Sequence, residues 1–149
     1  MPDSSEVQVF ARHLTELAPE TLYGILQLRV DVFVVEQECP YPELDGRDLE
    51  ADALMMWIEA EGAIAAHVRL LCDGEDRRIG RVVTNPALRG QGFAAALIRD
   101  AMRRSKGRTI RLDAQAHLEK WYASFGFSAD GPEFLEDGIP HVPMILRAS

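Results

Sequence analysis

The sequence predicts an α/β protein over residues 1–149, read as one domain with a mixed, mostly antiparallel central sheet flanked by helices. Three observations predict it. Strand-like runs joined by turn residues follow one another between residues 55 and 84, and a single helix-then-strand unit follows a glycine-bearing loop at 89–95. An apolar stripe at helical spacing precedes both.

Taken in order, "VQVFAR" (7–12) alternates as a strand does. Pro19 suits a first helical position and opens a helix whose Leu22, Leu26, Val30 and Phe33 share one stripe. "CPYPELDGRD" (39–48) is a Pro- and Asp-rich loop, and "RDLEADAL" (47–54) can form a short helix. "MMWIEA" (55–60) and "AIAAHVRLL" (63–71) flank Glu61-Gly62, a hairpin signal, and "CDGEDR" (72–77) makes a second turn before "RIGRVVT" (78–84). These three runs are expected to be antiparallel strands, with His67 facing solvent. A helix from Phe93 to about Lys106 stops at Gly107, "TIRLD" (109–113) is a further strand, and Leu118, Trp121, Tyr122 and Phe125 recur at helical spacing up to Gly126. Strands close the chain, "HVPMIL" (141–146) being the last.

Apolar content of 47% with 27% charged residues is ordinary for a soluble globular protein. No apolar run approaches the ~20 residues of a membrane span. "MPDSSEVQVF" lacks the basic start and apolar centre of a signal peptide, so a cytoplasmic protein without membrane contact is expected. Cys39 and Cys72 make neither a disulfide framework nor a metal quartet. His13, His67, His117 and His141 have no ligand spacing with them, so no metal is expected.

The net charge of −8 is unevenly spread. Residues 1–60 hold 13 acids against 3 bases, whereas residues 61–115 hold 11 bases against 6 acids. Such runs are commonly solvated faces, yet ten bases between Arg77 and Arg111 surround the glycine loop, as a bound polyanion would require. Nucleic acid fits less well, because its binding modules show a basic overall balance and stacking aromatics.

The loop itself reads "NPALRGQGFAAALIRD" (85–100). Unpaired amides at a helix start carry partial positive charge, and glycines let phosphate oxygens approach them, which favours a pyrophosphate; the same glycines also suit a plain turn. A P-loop is excluded because no Lys-Ser or Lys-Thr follows. Gly90, Gly92 and Ala95, with Asp113, satisfy a dinucleotide fingerprint, but six residues, Thr84 to Arg89, separate Val83 from the first glycine. Hairpin-linked strands before the loop also leave too little chain for that fold's parallel sheet.

Arg89, Gly92 and Ala94 match Q/R-x-x-G-x-G/A, and with this loop the chain resembles the GNAT superfamily of acetyl-CoA-dependent N-acyltransferases. The inferred order of elements is that family's own over nearly the whole chain. "LQLRVDVFVVEQECPYPELDGRD", "AQAHLEKWYASFGF" and "DGIPHVPM" are similar to its ElaA-like group.

The resemblance implies a GNAT fold and transfer of an acetyl group from acetyl-CoA to a primary amine, carried by a small molecule or a peptide, through direct attack on the thioester. The pyrophosphate would lie on the main-chain amides of Arg89, Gly90, Gln91, Gly92, Phe93, Ala94 and Ala95. The pantetheine arm would run along the strand edge at Val82 and Val83 as an added strand does. Gln115 stands where many relatives have an asparagine that contacts this arm. Tyr122 matches the tyrosine that protonates the leaving thiolate, although its spacing with Leu118 and Phe125 also suits a core residue. No glutamate lies in "RIGRVVT", where several relatives keep one, so His141 or His117 is a candidate base, each also suited to structural hydrogen bonding. Glu36 and Gln37 either turn polar groups toward the acceptor or cap and turn the chain. The acidic first sixty residues are expected to draw a cationic acceptor. A catalytically silent acyl-CoA-binding or sensor module is the alternative, and sheet-edge pairing would allow a homodimer.

Overall fold

The computed structural model describes residues 7–149. β2 (Leu54–Ala60) and β3 (Ala63–Asp73) pair antiparallel, with Trp57 opposite His67 and Met55 opposite Arg69. Successive side chains leave opposite faces, so Met56, Ile58, Ala66, Val68 and Leu70 join one core cluster while Met55 and Trp57 join another. α1 (Pro19–Arg29) covers the second face through Ile25, and α2 (Phe93–Arg104) covers the first through Phe93, Leu97 and Ile98. Because both faces are covered, Ala65 through Leu71 are all buried. Each large side chain buried this way, such as Leu97, contributes about 1.5–3 kcal/mol.

The other strands are β1 (Phe10–Arg12), β4 (Asp76–Thr84), β5 (Ile110–Gln115), β6 (Ser128–Ala129), β7 (Phe134–Glu136) and β8 (Ile139–Leu146). Among the described residues eight strands form one sheet, ordered β1-β2-β3-β4-β5-β8-β6, with β7 also on β8. Its pairings are antiparallel except for β4 with β5, which are parallel and joined through α2. The fold is therefore the mixed, mostly antiparallel α/β arrangement that the sequence predicts. α3 (Glu119–Ala123) packs on β5 and β6, and its Tyr122, with Trp121 and Phe125 packed against it, joins the core that α2 covers.

Local differences from the sequence expectation have identifiable causes. β1 begins at Phe10 rather than Val7, and residues 47–54 supply only a 3₁₀ turn, Arg47–Leu49, before Leu54 enters β2. After Arg29 the chain widens into a π-helix over Val30–Glu36, where the Gln37 amide donates to the Val32 carbonyl at 3.1 Å. His67 does not face solvent. It is fully buried beneath α1 and bonded through Nδ1 to the Met56 carbonyl at 2.9 Å, because β3 is covered on both faces.

Candidate active site

Among the described residues β4 and β5 pair only at Arg77–Ile110 and Arg78–Arg111, then diverge. The wedge opens into a cleft of about 970 Å³. Val82 and Val83 line it from β4, Leu112 and Gln115 from β5, Tyr122 from α3 and His141 from β8. Opposite the wedge β4 carries a bulge: Gly80 pairs with Arg69 and Val83 with His67, so Arg81 and Val82 together face the single residue Val68. Arg81 sits there at φ 53°, a left-handed conformation.

The glycine loop leaves β4 at one rim of this cleft. Asn85 caps the 3₁₀ turn Pro86–Leu88 by accepting from the Ala87 amide at 3.1 Å. Gly92, at φ 81°, is the N-cap of α2, and no side chain caps the helix. Cβ atoms added at Gly90 or Gly92 would meet nothing within 4 Å. An open space thus faces uncapped first-turn amides, which is the arrangement a pyrophosphate needs. Ala94 and the Arg89 side chain line the cleft. Gln91 and Ala95 are half-buried on the same turn, while the Phe93 ring is in the core, leaving only its main chain to the loop.

The π-helix delivers Glu36 and Gln37 to the wall of the cleft. Glu36 accepts from Arg89 NH2 at 2.8 and 3.0 Å, and Gln37 Oε1 accepts from Gln115 Nε2 at 3.3 Å. Gln37 is also the C-terminal cap of the π-helix, so a capping position and a cleft position coincide. Just beyond it, the Cys39 thiol donates to the Asp137 carbonyl at 3.3 Å, tying this segment to the β7–β8 turn.

Tyr122 is 5% exposed, and burial raises its hydroxyl above the ordinary tyrosine pKa, so the proton stays on at neutral pH. His141 Nδ1 lies 2.7 Å from the Ile139 carbonyl, which can only accept, so Nδ1 carries the proton of the neutral ring. Nε2 keeps its lone pair, and Glu136 Oε2 lies 3.7 Å away. His117 is exposed at the cleft rim.

The sequence did not reveal the buried charge network beside the cleft, whose lining includes Tyr41, Asp45, Arg69 and Arg81. Arg29, fully buried, donates to Glu43 Oε2 and Asp48 Oδ1, each at 2.7 Å. Arg69 pairs with Asp45 at 2.8 Å, and Arg81 pairs with Glu43 at 2.7 Å and Asp45 at 3.2 Å. The Tyr41 hydroxyl donates to Glu43 Oε1, and Arg81 lies 5.8 Å from the Tyr41 ring centroid. Although desolvation opposes it, hydrogen bonds from Arg69 and the Arg47 amide hold Asp45 down at about 2. These acids are therefore neutralised by guanidinium partners, and they do not add up to the free negative field expected from the first sixty residues. The partners are separated by 14 to 38 residues, beyond any local pattern. Burial, and secondarily Arg29, pushes His67 down to about 3, so it sits neutral beside the network.

Among the described residues no group of three or more His, Cys, Asp or Glu side chains is placed to hold a metal ion. No helix among them is long and apolar enough to cross a membrane.

A family model described as "Acetyltransferase (GNAT) domain" matches residues 14–148. The chain is 49% identical to UPF0039 protein Rv2851c of Mycobacterium tuberculosis, over 90% of this chain and 89% of that one. The crystal structure of an acyl-CoA N-acyltransferase from Pseudomonas aeruginosa superposes with a TM-score of 0.89 at 39% identity, covering 96% of this chain and all of that one. That of Escherichia coli ElaA gives 0.86 at 37%, covering 93% and 98%. With the wedge between β4 and β5 and the glycine cradle at its rim, these matches show that the chain belongs to the GNAT acetyltransferase family.

Proposed function

We propose that the protein transfers an acetyl group from acetyl-CoA to a primary amine by direct attack of the amine on the thioester. One observation carries this reading: a tyrosine hydroxyl that stays protonated and a histidine nitrogen with a free lone pair line the same cleft, at the end of a cradle fit for pyrophosphate.

Attack requires a neutral amine, stabilisation of charge on the carbonyl oxygen and a proton for the departing sulfur. The amides from Arg89 to Ala95 bind the diphosphate. The unpaired β4 edge at Val82 and Val83 orients the arm, with Gln115 contributing from β5. His141 Nε2 takes the amine proton, directly or through water. Tyr122 gives its hydroxyl proton to the thiolate. Glu36, Gln37 and His117 stand on the acceptor side of the rim and contact the amine-bearing molecule.

The test is a screen of small amines and peptides with acetyl-CoA, read as free thiol released. The reading expects amine-dependent release. CoA binding without release across the screen would instead support the acyl-CoA sensor.

A further inference from the structure

The β4 bulge contains a residue that does not suit its conformation. Where the first residue of a bulge is left-handed, glycine is the usual occupant, because a Cβ there costs roughly 1–2 kcal/mol. Here that residue is Arg81, at φ 53°, although Gly80 is its immediate neighbour. Such strain persists only where the surroundings hold it in place.

They hold it through the guanidinium. Arg81 Nε donates to Glu43 Oε2 at 2.7 Å and NH2 donates to the Glu43 carbonyl at 2.9 Å, with Asp45 Oδ2 at 3.2 Å. Glu43 is itself immobilised. It is 4% exposed, its Oε2 also accepts from Arg29 Nε at 2.7 Å, and its Oε1 accepts from the Tyr41 hydroxyl. A loop thirty-eight residues upstream therefore grips the one strained residue of β4, three positions beyond the last β4–β5 pair at Arg78. A bulge bends its strand and sharpens the local twist. At this position it turns β4 away from β5 and sets the direction of the Val82–Val83 edge.

We propose that Glu43 is a positioning residue: by anchoring the Arg81 guanidinium it holds β4 in the left-handed bulge that aims the Val82–Val83 main chain at the acyl donor. Its effect on turnover rests on the acetyl-transfer reading, whereas its effect on the strand edge does not. The anchor is needed because residue 81 has a Cβ. A glycine at 81 adopts the same backbone without strain and needs no anchor.

Four variants test this: Arg81→Ala, Arg81→Gly, Glu43→Ala and the double variant Glu43→Ala/Arg81→Gly. Turnover is measured alongside melting temperature and the backbone amide NMR shifts of Val82 and Val83. Arg81→Ala and Glu43→Ala should displace those amide signals and lower kcat on the order of 100-fold, as a misplacement of about 1 Å does. Arg81→Gly should exceed Arg81→Ala by at least about tenfold in kcat, and the double variant should exceed Glu43→Ala by the same factor, with amide shifts returned toward wild type. Because glycine also relieves the strain at residue 81 and so affects stability, kcat is compared at a temperature well below the melting point of every variant. Equal loss in the Gly and Ala variants at 81, with activity following melting temperature, would overturn the proposal. Unmoved Val82 and Val83 signals in Glu43→Ala would also overturn it. If the wild type releases no thiol with any amine, acetyl transfer fails as a reading, and the amide shifts decide on the anchor alone.

Discussion

Arg29→Met removes the guanidinium at the centre of the buried network and leaves a side chain of similar length for packing. Arg29 makes four hydrogen bonds, two to Asp48, one to the Glu43 carboxylate and one to the Glu43 carbonyl. The two acids are not equally exposed to the loss. Glu43 keeps Arg81 and Tyr41, whereas Asp48, 6% exposed, keeps one Arg69 contact at 3.4 Å. Stranding a buried charge costs about 3–5 kcal/mol, and with only Asp48 stranded the lower part of that range, about 3–4 kcal/mol, is expected. At roughly 2–4 °C per kcal/mol for a chain of this size, Tm should fall by about 6–16 °C. The loss should also depend on pH. Hydrogen bonding from Arg29, working against desolvation, holds Asp48 below the ordinary carboxylate pKa of the unfolded chain. The wild type therefore holds the associated stability above that value and loses it as pH falls through the lowered one. In Arg29→Met the larger part of that depression is lost and only the Arg69 contribution remains, so the gap between the proteins should be full near neutrality and narrow below about pH 4. Calorimetry and urea melts from pH 3 to 7 measure both quantities, with Arg47→Met, whose guanidinium is about one-third exposed, as a control losing about 1 kcal/mol or less. A loss under 1 kcal/mol in Arg29→Met, or a gap that does not change with pH, would mean that Asp48 does not depend on Arg29 for its charge.

Other expected outcomes follow from the same structure. Gly92→Val places a β-branched residue at φ 81°, beside the open space of the cradle, and should abolish the rise in melting temperature that CoA produces; an undiminished rise would remove the cradle from the donor site. Tyr122→Phe deletes only a hydroxyl and should lower turnover by about 10- to 1,000-fold while CoA affinity changes little, as thiol release and calorimetric titration would show. His141→Ala should flatten the rise of turnover with pH, and an unchanged profile would exclude His141 as the base. His67 has a folded pKa near 3, below its unfolded value, so it opposes folding increasingly as pH falls from about 6.5 toward 3. His67→Gln should melt with a slope against pH that is shallower by up to about 1.4 kcal/mol per unit in that window. An unaltered slope would mean that His67 is not buried neutral.

What the sequence disclosed was whatever is encoded locally. The β2–β3 hairpin is announced by Glu61-Gly62, both at positive φ, and α2 by Gly92 and the apolar spacing behind it. The loop at 85–92 and the helix start at Phe93 were legible for the same reason, since a loop and the helix it opens are contiguous. Val30–Glu36 was not, because its β-branched run keeps an apolar spacing that a regular helix would also satisfy, and widening the turn alters no residue type. Charge counts misled in a similar way. Summed along the chain, Glu43, Asp45 and Asp48 look like a negative surface, yet each meets an arginine brought from another element. His67 sits on a strand covered from both sides, and only the placement of α1 and α2 reveals that. The arginine at a left-handed bulge carries no signal in a single sequence, because nothing in "IGRV" says which residue bends.

The meagre junction between β4 and β5 also bears on how the molecule comes apart. On one side of it β1 to β4 form a run of neighbours in chain order, and on the other β5 to β8 close around β8. Among the described residues two residue pairs, the Arg77 amide donating to the Thr109 carbonyl at 2.8 Å and the α2 crossover link the halves along the sheet. Hydrogen exchange on such a molecule should resolve two cooperative units, with amides near the seam exchanging through partial opening and those inside β3 requiring global unfolding. A ligand lying in the seam would touch both units at once, and its binding would fuse two foldons into one.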